Sequence, residues 1–154
     1  VRVYDLTFQN GQAPTTFASL SAIDALDENG QPVSLGLPGP YYSRVHFGEN
    51  LGLTVSGSPN QPFIVFAGTL VVGAQFYPGI GQVDVTDPGS FVVVNGVDGS
   101  GVIPGVFYTS AAGSFTFAGP STLPPGLAIP LQAAVFTGGP TVLGLSNALV
   151  VQTL

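Results

Sequence analysis

Hydrophobic residues recur in short runs along the chain, and Gly or Pro separates almost every run from the next. The runs are rich in Val, Phe, Thr and Ile, which favour strands. The 22 glycines and 14 prolines interrupt most stretches long enough for a helix, and inside a helix each would cost about 1 and about 3 kcal/mol, respectively. Leu51, Leu53 and Val55 alternate with smaller or polar residues, as in a strand with one buried face. The pattern therefore predicts short β-strands.

The runs that predict strands are 1–8, 16–26, 31–35, 42–47, 51–56, 63–66, 91–94, 102–109, 114–117, 128–136 and 148–153. Phe17, Leu20 and Ile23 are spaced by three, so a helix is an alternative for 16–26, although strand, turn and strand over 16–35 is favoured. The runs 63–66 and 91–94 are apolar at consecutive positions, which is typical of strands covered on both faces.

This series of short strands predicts the fold class. Turns recur roughly every 8 to 12 residues, which is typical of an antiparallel β-sandwich or jelly roll, here with about ten to twelve strands. The 154 residues are enough for one domain with its own core. We therefore expect an all-β single domain over residues 1–154.

The scarcity of charge limits the choice of partners. Only 6% of the residues are charged, the net charge is -6, and the chain has no lysine, so Arg2 and Arg44 are its only permanent cations. Nucleic acids and anionic membranes are bound mainly through Lys and Arg, and no apolar run reaches the roughly 20 residues of a membrane helix. We expect neither partner, and we expect contact with copies of the same chain.

The first residue of the sequence bears on localisation. It is Val1 rather than Met, which fits a mature chain whose signal peptide has been removed. The absence of Cys excludes a disulfide framework but assigns no compartment. We expect a secreted protein that is extracellular or lies at the cell surface.

Four segments carry a resemblance to a known kind of module. They are Leu51–Pro59, Asp98–Gly101, Gly126–Ala133 and Leu143–Val150. Their order resembles the carboxy-terminal β-sandwich module of secreted planctomycete-type bacterial surface proteins, over residues of about 50–154. Leu-Gln-Ala and Leu-Ser-Asn-Ala are its most specific parts. The resemblance implies export and a β-sandwich but no catalytic or ligand-binding residues, and it leaves residues 1–49 as extra strands or an assembly arm.

The sequence offers little catalytic chemistry. His46 is the only histidine, Ser43 is three residues away, and no G-x-S-x-G motif is present, so a nucleophile and base pair is not indicated. Glu28 and Glu49 are the only glutamates, and turn geometry explains Asp27, Asp87 and Asp98. We predict that the protein is not an enzyme.

Calcium is the one cofactor that the sequence suggests. Oxygen ligands of the kind Ca²⁺ prefers are concentrated in one short segment, namely Asp24, Asp27, Glu28 and Asn29. Asp84–Asp87 and Asp98–Gly101 are weaker candidates, and none of the three follows the twelve-residue calcium loop. Ordinary turn chemistry is the favoured interpretation, so we expect no cofactor and keep calcium as the alternative.

Carbohydrate binding is the alternative function. Lectin-like modules stack sugar rings on exposed aromatic residues and bind hydroxyl groups with polar side chains. Tyr41 and Tyr42 next to Arg44 fit this pattern, and Phe76–Tyr77 fits it less well. Trp is absent, and the 11 phenylalanines are expected in the core. Polysaccharide therefore remains a candidate ligand.

Self-assembly is the leading hypothesis. Natural monomers usually protect their sheet edges with charge, especially Lys, which this chain lacks. Residues 1–10 are predicted to be an exchangeable terminal strand, whose contact residues would be Val1, Val3, Tyr4, Leu6 and Phe8. Such a strand can add to the open edge of a neighbouring subunit. We expect a structural subunit of a fibre, sheath or surface layer.

Overall fold

The computed structural model describes residues 18–22, 40–139 and 142–154, and these residues form strands, turns and loops without a helix. The eight described strands are β1 (Ser19–Ala22), β2 (Tyr41–Val45), β3 (Asn50–Ser56), β4 (Phe63–Tyr77), β5 (Gly81–Asn95), β6 (Ser114–Pro120), β7 (Ala128–Phe136) and β8 (Leu143–Thr153). They make a three-stranded sheet in the order β1-β3-β6 and a five-stranded sheet in the order β2-β8-β7-β4-β5. The predicted all-β sandwich is confirmed, and β1 confirms a strand within the run 16–26.

The strand pairs are mostly antiparallel, as predicted, with one exception. β2 pairs with β8 in parallel, and Tyr41 lies opposite Leu149. The alternation of side chains along a strand is the same for both directions of pairing, so the sequence pattern could not show this. A parallel pair needs a long crossover connection, and here the connection between the two partners contains most of the described chain.

Eight strands are described instead of the predicted ten to twelve, because the predicted run 102–109 is a loop and the runs 1–8 and 31–35 lie outside the described residues. Two of the eight strands are much longer than the runs 63–66 and 91–94 that predicted them. β4 and β5 have 15 residues each and pair through three irregularities in register. Gly68 lies at one of these irregularities, where a Cβ atom would come within 2.6 Å of the Thr86 carbonyl oxygen. Glycine therefore permits a close approach inside a strand here, although it indicated a break in the sequence.

The predicted strand 102–109 is wrong. This segment is a loop in which only Tyr108 forms an isolated bridge, with Pro62. Gly101 and Gly105 have φ values of 114° and 137°, which strands of L-residues do not adopt, and Pro104 lies between them. The backbone consequently bends away from a ladder despite its apolar side chains.

The prediction that 91–94 is covered on both faces is also wrong. This run belongs to β5, which ends the five-stranded sheet among the described strands, and Phe91 and Val92 are 49% and 39% exposed. Among the described strands, β8 is the one buried along almost its whole length. It lies between β2 and β7, where neighbouring strands flank it on both sides.

The main core lies between the two sheets. Leu20 and Val55 contribute from the small sheet, and Val65, Leu149 and Val151 contribute from the large one. Four phenylalanine rings pack together at one side of this core, from Phe63, Phe107, Phe115 and Phe117, with centroid distances of 4.8 to 6.4 Å. We call these four residues the phenylalanine cluster.

The long hairpin of β4 and β5 is fastened to the sheet by a buried amide. Gln132 of β7 has no exposed surface. Its Nε2 donates to the carbonyl oxygens of Gln82 and Ser146, at 2.7 Å each, and its Oε1 accepts from the N–H groups of Asp84 and Val85. Both ends of the amide are therefore satisfied, which offsets the cost of burying it.

A second buried amide joins the two sheets. Asn147 lies in β8 where the pairing with β7 shifts register. Its Oδ1 accepts from the Leu20 N–H at 3.0 Å, and its Nδ2 donates to the Leu20 carbonyl oxygen at 2.8 Å. The Asn147 side chain thus forms the two hydrogen bonds to the β1 main chain that a neighbouring strand would otherwise form.

Replacing Asn147 should weaken the fold strongly. In Asn147→Ala the buried N–H and C=O of Leu20 lose these partners, so we expect a loss of about 2–4 kcal/mol in the free energy of unfolding, measured by urea denaturation. Asn50→Ala removes an exposed asparagine and should stay within about 0.5 kcal/mol of the parent. Equal stability of the two variants would contradict the role given to Asn147.

Candidate assembly edge

The two sheets have four outer strands among the described residues, β1 and β6 in the small sheet and β2 and β5 in the large one. Unpaired N–H and C=O groups on such strands are the chemical groups with which another chain can pair. The predicted strand addition requires an outer strand whose outward N–H and C=O groups are unpaired. The four outer strands differ in the groups that bond to this side or lie on it.

The outer side of β1 is occupied. Leu20 directs its N–H and C=O away from β3, and both groups bond to the Asn147 amide. The β8 strand therefore closes this edge from within the molecule.

The outer side of β5 is partly occupied. The loop after β5 folds back on it: the Val102 and Ile103 N–H groups donate to the carbonyl oxygens of Val92 and Val93. The strand also contains a proline, Pro88, in the sequence GQVDVTDPGS, and proline discourages edge pairing.

The outer strand β2 is short and carries a cation. It has five residues, and the exposed Arg44 side chain lies on it, where Nε contacts the Gln152 Oε1 at 3.4 Å. Tyr42 shares the face of Arg44 and is half-buried, whereas Tyr41 points to the other face and is 1% exposed within the core. The three residues predicted for carbohydrate binding are thus divided, and the Tyr41 ring offers no stacking surface.

The fourth outer strand, β6, has neither charge nor irregularity. It pairs with β3 in unbroken register from Asn50 opposite Pro120 to Ser56 opposite Ser114. Its sequence, SFTFAGP, contains no ionisable residue. No described strand lies on its other side.

The hydrogen-bond pattern shows which β6 groups point outward. At the two ends of the ladder, Gly57 N–H donates to Gly113 O and Ser121 N–H donates to Glu49 O, at 2.8 Å each. Residues along an antiparallel strand alternate between bonding to the partner and pointing away from it. By this alternation Thr116 and Ala118 direct both main-chain groups away from β3, and both residues are exposed.

The phenylalanine cluster lies directly behind this edge. Phe115 and Phe117 are β6 residues whose rings contact each other and Phe107 at centroid distances of 4.8 to 5.3 Å. These three residues are only partly buried, whereas Phe63 is completely buried. The β6 edge thus combines outward main-chain groups with incompletely covered aromatic surface.

His46 and Glu49 contact each other at the surface, just beyond the end of β2. The Glu49 Oε2 accepts from the His46 N–H at 2.8 Å and lies 3.2 Å from its Nδ1. His46 lies beyond the end of β2, so the expectation of a strand reaching residue 47 is wrong. Ser43 is completely buried, whereas the His46 side chain is 64% exposed, and the structure does not bring them together as nucleophile and base.

The carboxylate of Asp98 is used in a turn. Its Oδ1 accepts from the Ser100 Oγ at 2.6 Å and from the Ser100 N–H at 2.8 Å, and these bonds lower the pKa of Asp98. Within the described ranges, no three carboxylate, imidazole or thiol groups cluster as a metal site.

Two predicted sites fall outside the described residues. They are the assembly arm, Val1, Val3, Tyr4, Leu6 and Phe8, and the calcium segment, Asp24, Asp27, Glu28 and Asn29.

Comparison with known protein families found no match, and comparison with curated proteins found none either. The part of the chain that the structure describes holds no helix suited to crossing a membrane.

The sequence reasoning missed the residues that define the β6 edge. Thr116 and Ala118 have no ionisable side chain, and the pattern predicts 114–117 only as one of several strands. The available signal was the absence of charge from SFTFAGP. That signal does not place the strand at the end of a sheet, which depends on its distant partner β3.

Glu49 should titrate at an unusually low pH. The main-chain N–H of His46, then its side chain, lower the pKa of Glu49. Because the folded pKa is below the unfolded one, this contact stabilises the fold above the unfolded pKa, and the contribution is lost as pH falls through the folded pKa. NMR titration of the side-chain carboxyl carbon should give a midpoint below the ordinary glutamate value.

The matched variant for this titration is His46→Ala, which removes the ring and keeps the main-chain donor. We expect the pKa of Glu49 to move only part of the way back. A complete return to the ordinary value would show that the ring, and not the main chain, causes the shift.

Proposed function

We propose that this protein is an extracellular structural subunit that self-assembles into a fibre, sheath or surface layer by strand addition of its amino-terminal residues. The observation that supports this best is β6, an uncharged outer strand in regular register. An added strand would bond to the outward N–H and C=O groups of Thr116 and Ala118.

The distribution of charge supports the same proposal. Proteins that stay monomeric commonly place Lys, other charges, proline or a bulge on an outer strand. In β6 the only such feature is Pro120 at its last position. Eight carboxylates spread over 154 residues add only weak repulsion between copies.

The proposed location follows from the resemblance to secreted planctomycete-type modules. Its two most specific segments are Leu131–Ala133 and Leu145–Ala148. They supply Gln132 and Asn147, whose amides hold the hairpin and the two sheets in place. Their role in the fold supports a structural module, and we propose no catalytic role.

Deleting residues 1–10 should abolish assembly and keep the fold. The deletion removes the proposed donor strand, whereas the described core involves residues from 18 onward. We expect soluble monomers with an unchanged circular dichroism spectrum, measured by sedimentation velocity and electron microscopy beside the parent chain.

A matched control is Arg2→Gln, which keeps the strand pattern of the arm and should assemble as the parent does. Polymers formed normally by the truncated chain would refute the arm mechanism.

A carbohydrate-binding module is the second candidate. Tyr42, Arg44 and Gln152 lie together on one face of the large sheet, with Arg44 and Gln152 in register across β2 and β8. An aromatic ring beside hydrogen-bond donors is a common arrangement in sugar sites.

A glycan array tests this candidate. If it is correct, the parent monomer binds a glycan and both Tyr42→Ala and Arg44→Gln lose that binding. Tyr41 is unsuitable for the test because its substitution would disturb the core. Absence of binding by the parent, or binding retained by both variants, would count against a carbohydrate site here.

A further inference from the structure

We infer that assembly runs head to tail, with residues 1–8 of one copy added to the outer side of β6 in the next copy. This inference rests on the proposed function and assigns its acceptor edge, its contact surface and its direction. The product is an open-ended chain of subunits rather than a closed pair.

The direction follows from the order of strands in the small sheet. Residues 1–17 lead into β1, which is one outer strand of the described sheet, and β6 is the opposite outer strand. The donor segment therefore joins the molecule at one side and the acceptor lies at the other. Contacts between different surfaces of identical subunits propagate without closing unless the rotation between subunits closes a ring.

In this sheet β6 can accept an added strand and β1 cannot. The Leu20 main-chain groups on the outer side of β1 are bonded to Asn147, so a strand from a second copy finds them occupied. Thr116 and Ala118 of β6 have no such bond to another described residue. This difference selects one acceptor edge in the small sheet.

The other two edges fit the arm less well. β2 presents Arg44, and the second half of β5 is covered by the Val102 and Ile103 main chain. β6 is uncharged, and the arm carries one Arg2 and one Asp5, which leaves it with no net charge. The pairing of arm and β6 therefore brings no like charges together.

The side chains of the arm match the surface behind β6. In an extended strand Tyr4, Leu6 and Phe8 share one face, because side chains alternate with period two. Turned toward the sandwich, they would cover the partly buried rings of Phe107, Phe115 and Phe117. Burial of this apolar surface adds to the main-chain hydrogen bonds.

The segment between the arm and β1 is long enough to reach a neighbour. Residues 9–17 span up to about 30 Å when extended, at roughly 3.3–3.6 Å each. Outer strands of a three-stranded sheet are about 10 Å apart. This reach exceeds the width of the small sheet, so the linker is long enough for the arm to lie along β6 of an adjacent copy.

Two complementary variants test the inference. The donor variant lacks residues 1–10. The acceptor variant is Ala118→Pro, which removes an outward N–H without removing a bond to β3, since proline is tolerated on the outward positions of an edge strand. Ala118→Ser is the matched control, because it keeps the N–H at the same position.

Neither variant should polymerise alone, and Ala118→Ser should polymerise as the parent does. An equimolar mixture of the two variants should give heterodimers and nothing larger, because the acceptor variant keeps an arm and the donor variant keeps an open β6. Size-exclusion chromatography with light scattering measures this, and circular dichroism with thermal unfolding checks that each variant is folded.

A second acceptor variant provides the test if Ala118→Pro does not fold. Ala118→Lys keeps the main-chain N–H and adds a charge to an exposed edge position, which opposes pairing with another strand. We expect the concentration needed for assembly to rise about tenfold, equivalent to roughly 1.4 kcal/mol. Unchanged assembly of this variant would contradict the choice of β6.

The outcomes separate this inference from the function on which it rests. If the donor variant is monomeric but both acceptor variants assemble normally, self-assembly by the arm stands and β6 is not the acceptor. If the donor variant polymerises, the arm mechanism fails and the inference fails with it. If the parent chain forms only closed dimers, or only monomers whose arm covers their own β6, the head-to-tail arrangement is wrong.

Discussion

The contact between the Asn147 amide and the Leu20 main chain is the constraint on which this structure depends most. It joins the two sheets through hydrogen bonds that are completely buried, and neither partner can find water if the other is removed. Asn147 lies where the pairing of β7 and β8 shifts register. Its side chain takes the place of a neighbouring strand beside β1.

This closure gives the small sheet two unequal edges. One is fastened to β8, and the other, β6, keeps two outward pairs of main-chain groups next to partly covered aromatic rings. Because the outward groups of Leu20 in β1 are bonded to Asn147, β6 is the outer strand of the described small sheet at which a strand from another copy can add. The proposed assembly therefore depends on how the sandwich is closed, and the buried amides contribute to it although they do not touch a partner.

The sequence predicted the class of fold because strand periodicity and turn residues are local signals, and Leu51, Leu53 and Val55 show this period clearly. It failed where the outcome depends on distant segments. The parallel pairing of β2, the exposure of Phe91 and the position of β6 all follow from which strands become neighbours. Glycine has different structural effects at two sites. Gly68 permits close packing inside a strand, whereas Gly105 bends the loop after β5. The segment Leu-Ser-Asn-Ala contains Asn147, but only the structure shows that its amide contacts Leu20.

Amide hydrogen exchange in the folded monomer, followed by NMR, tests the unequal edges most directly. We expect slow exchange for the Leu20 N–H, which is bonded to Asn147. Along β6 we expect alternation, with slow exchange at Phe115 and Phe117 and fast exchange at Thr116 and Ala118. Protection of Thr116 and Ala118 equal to that of their neighbours would contradict an open β6 edge, and fast exchange at Leu20 would contradict the closure of β1 by Asn147.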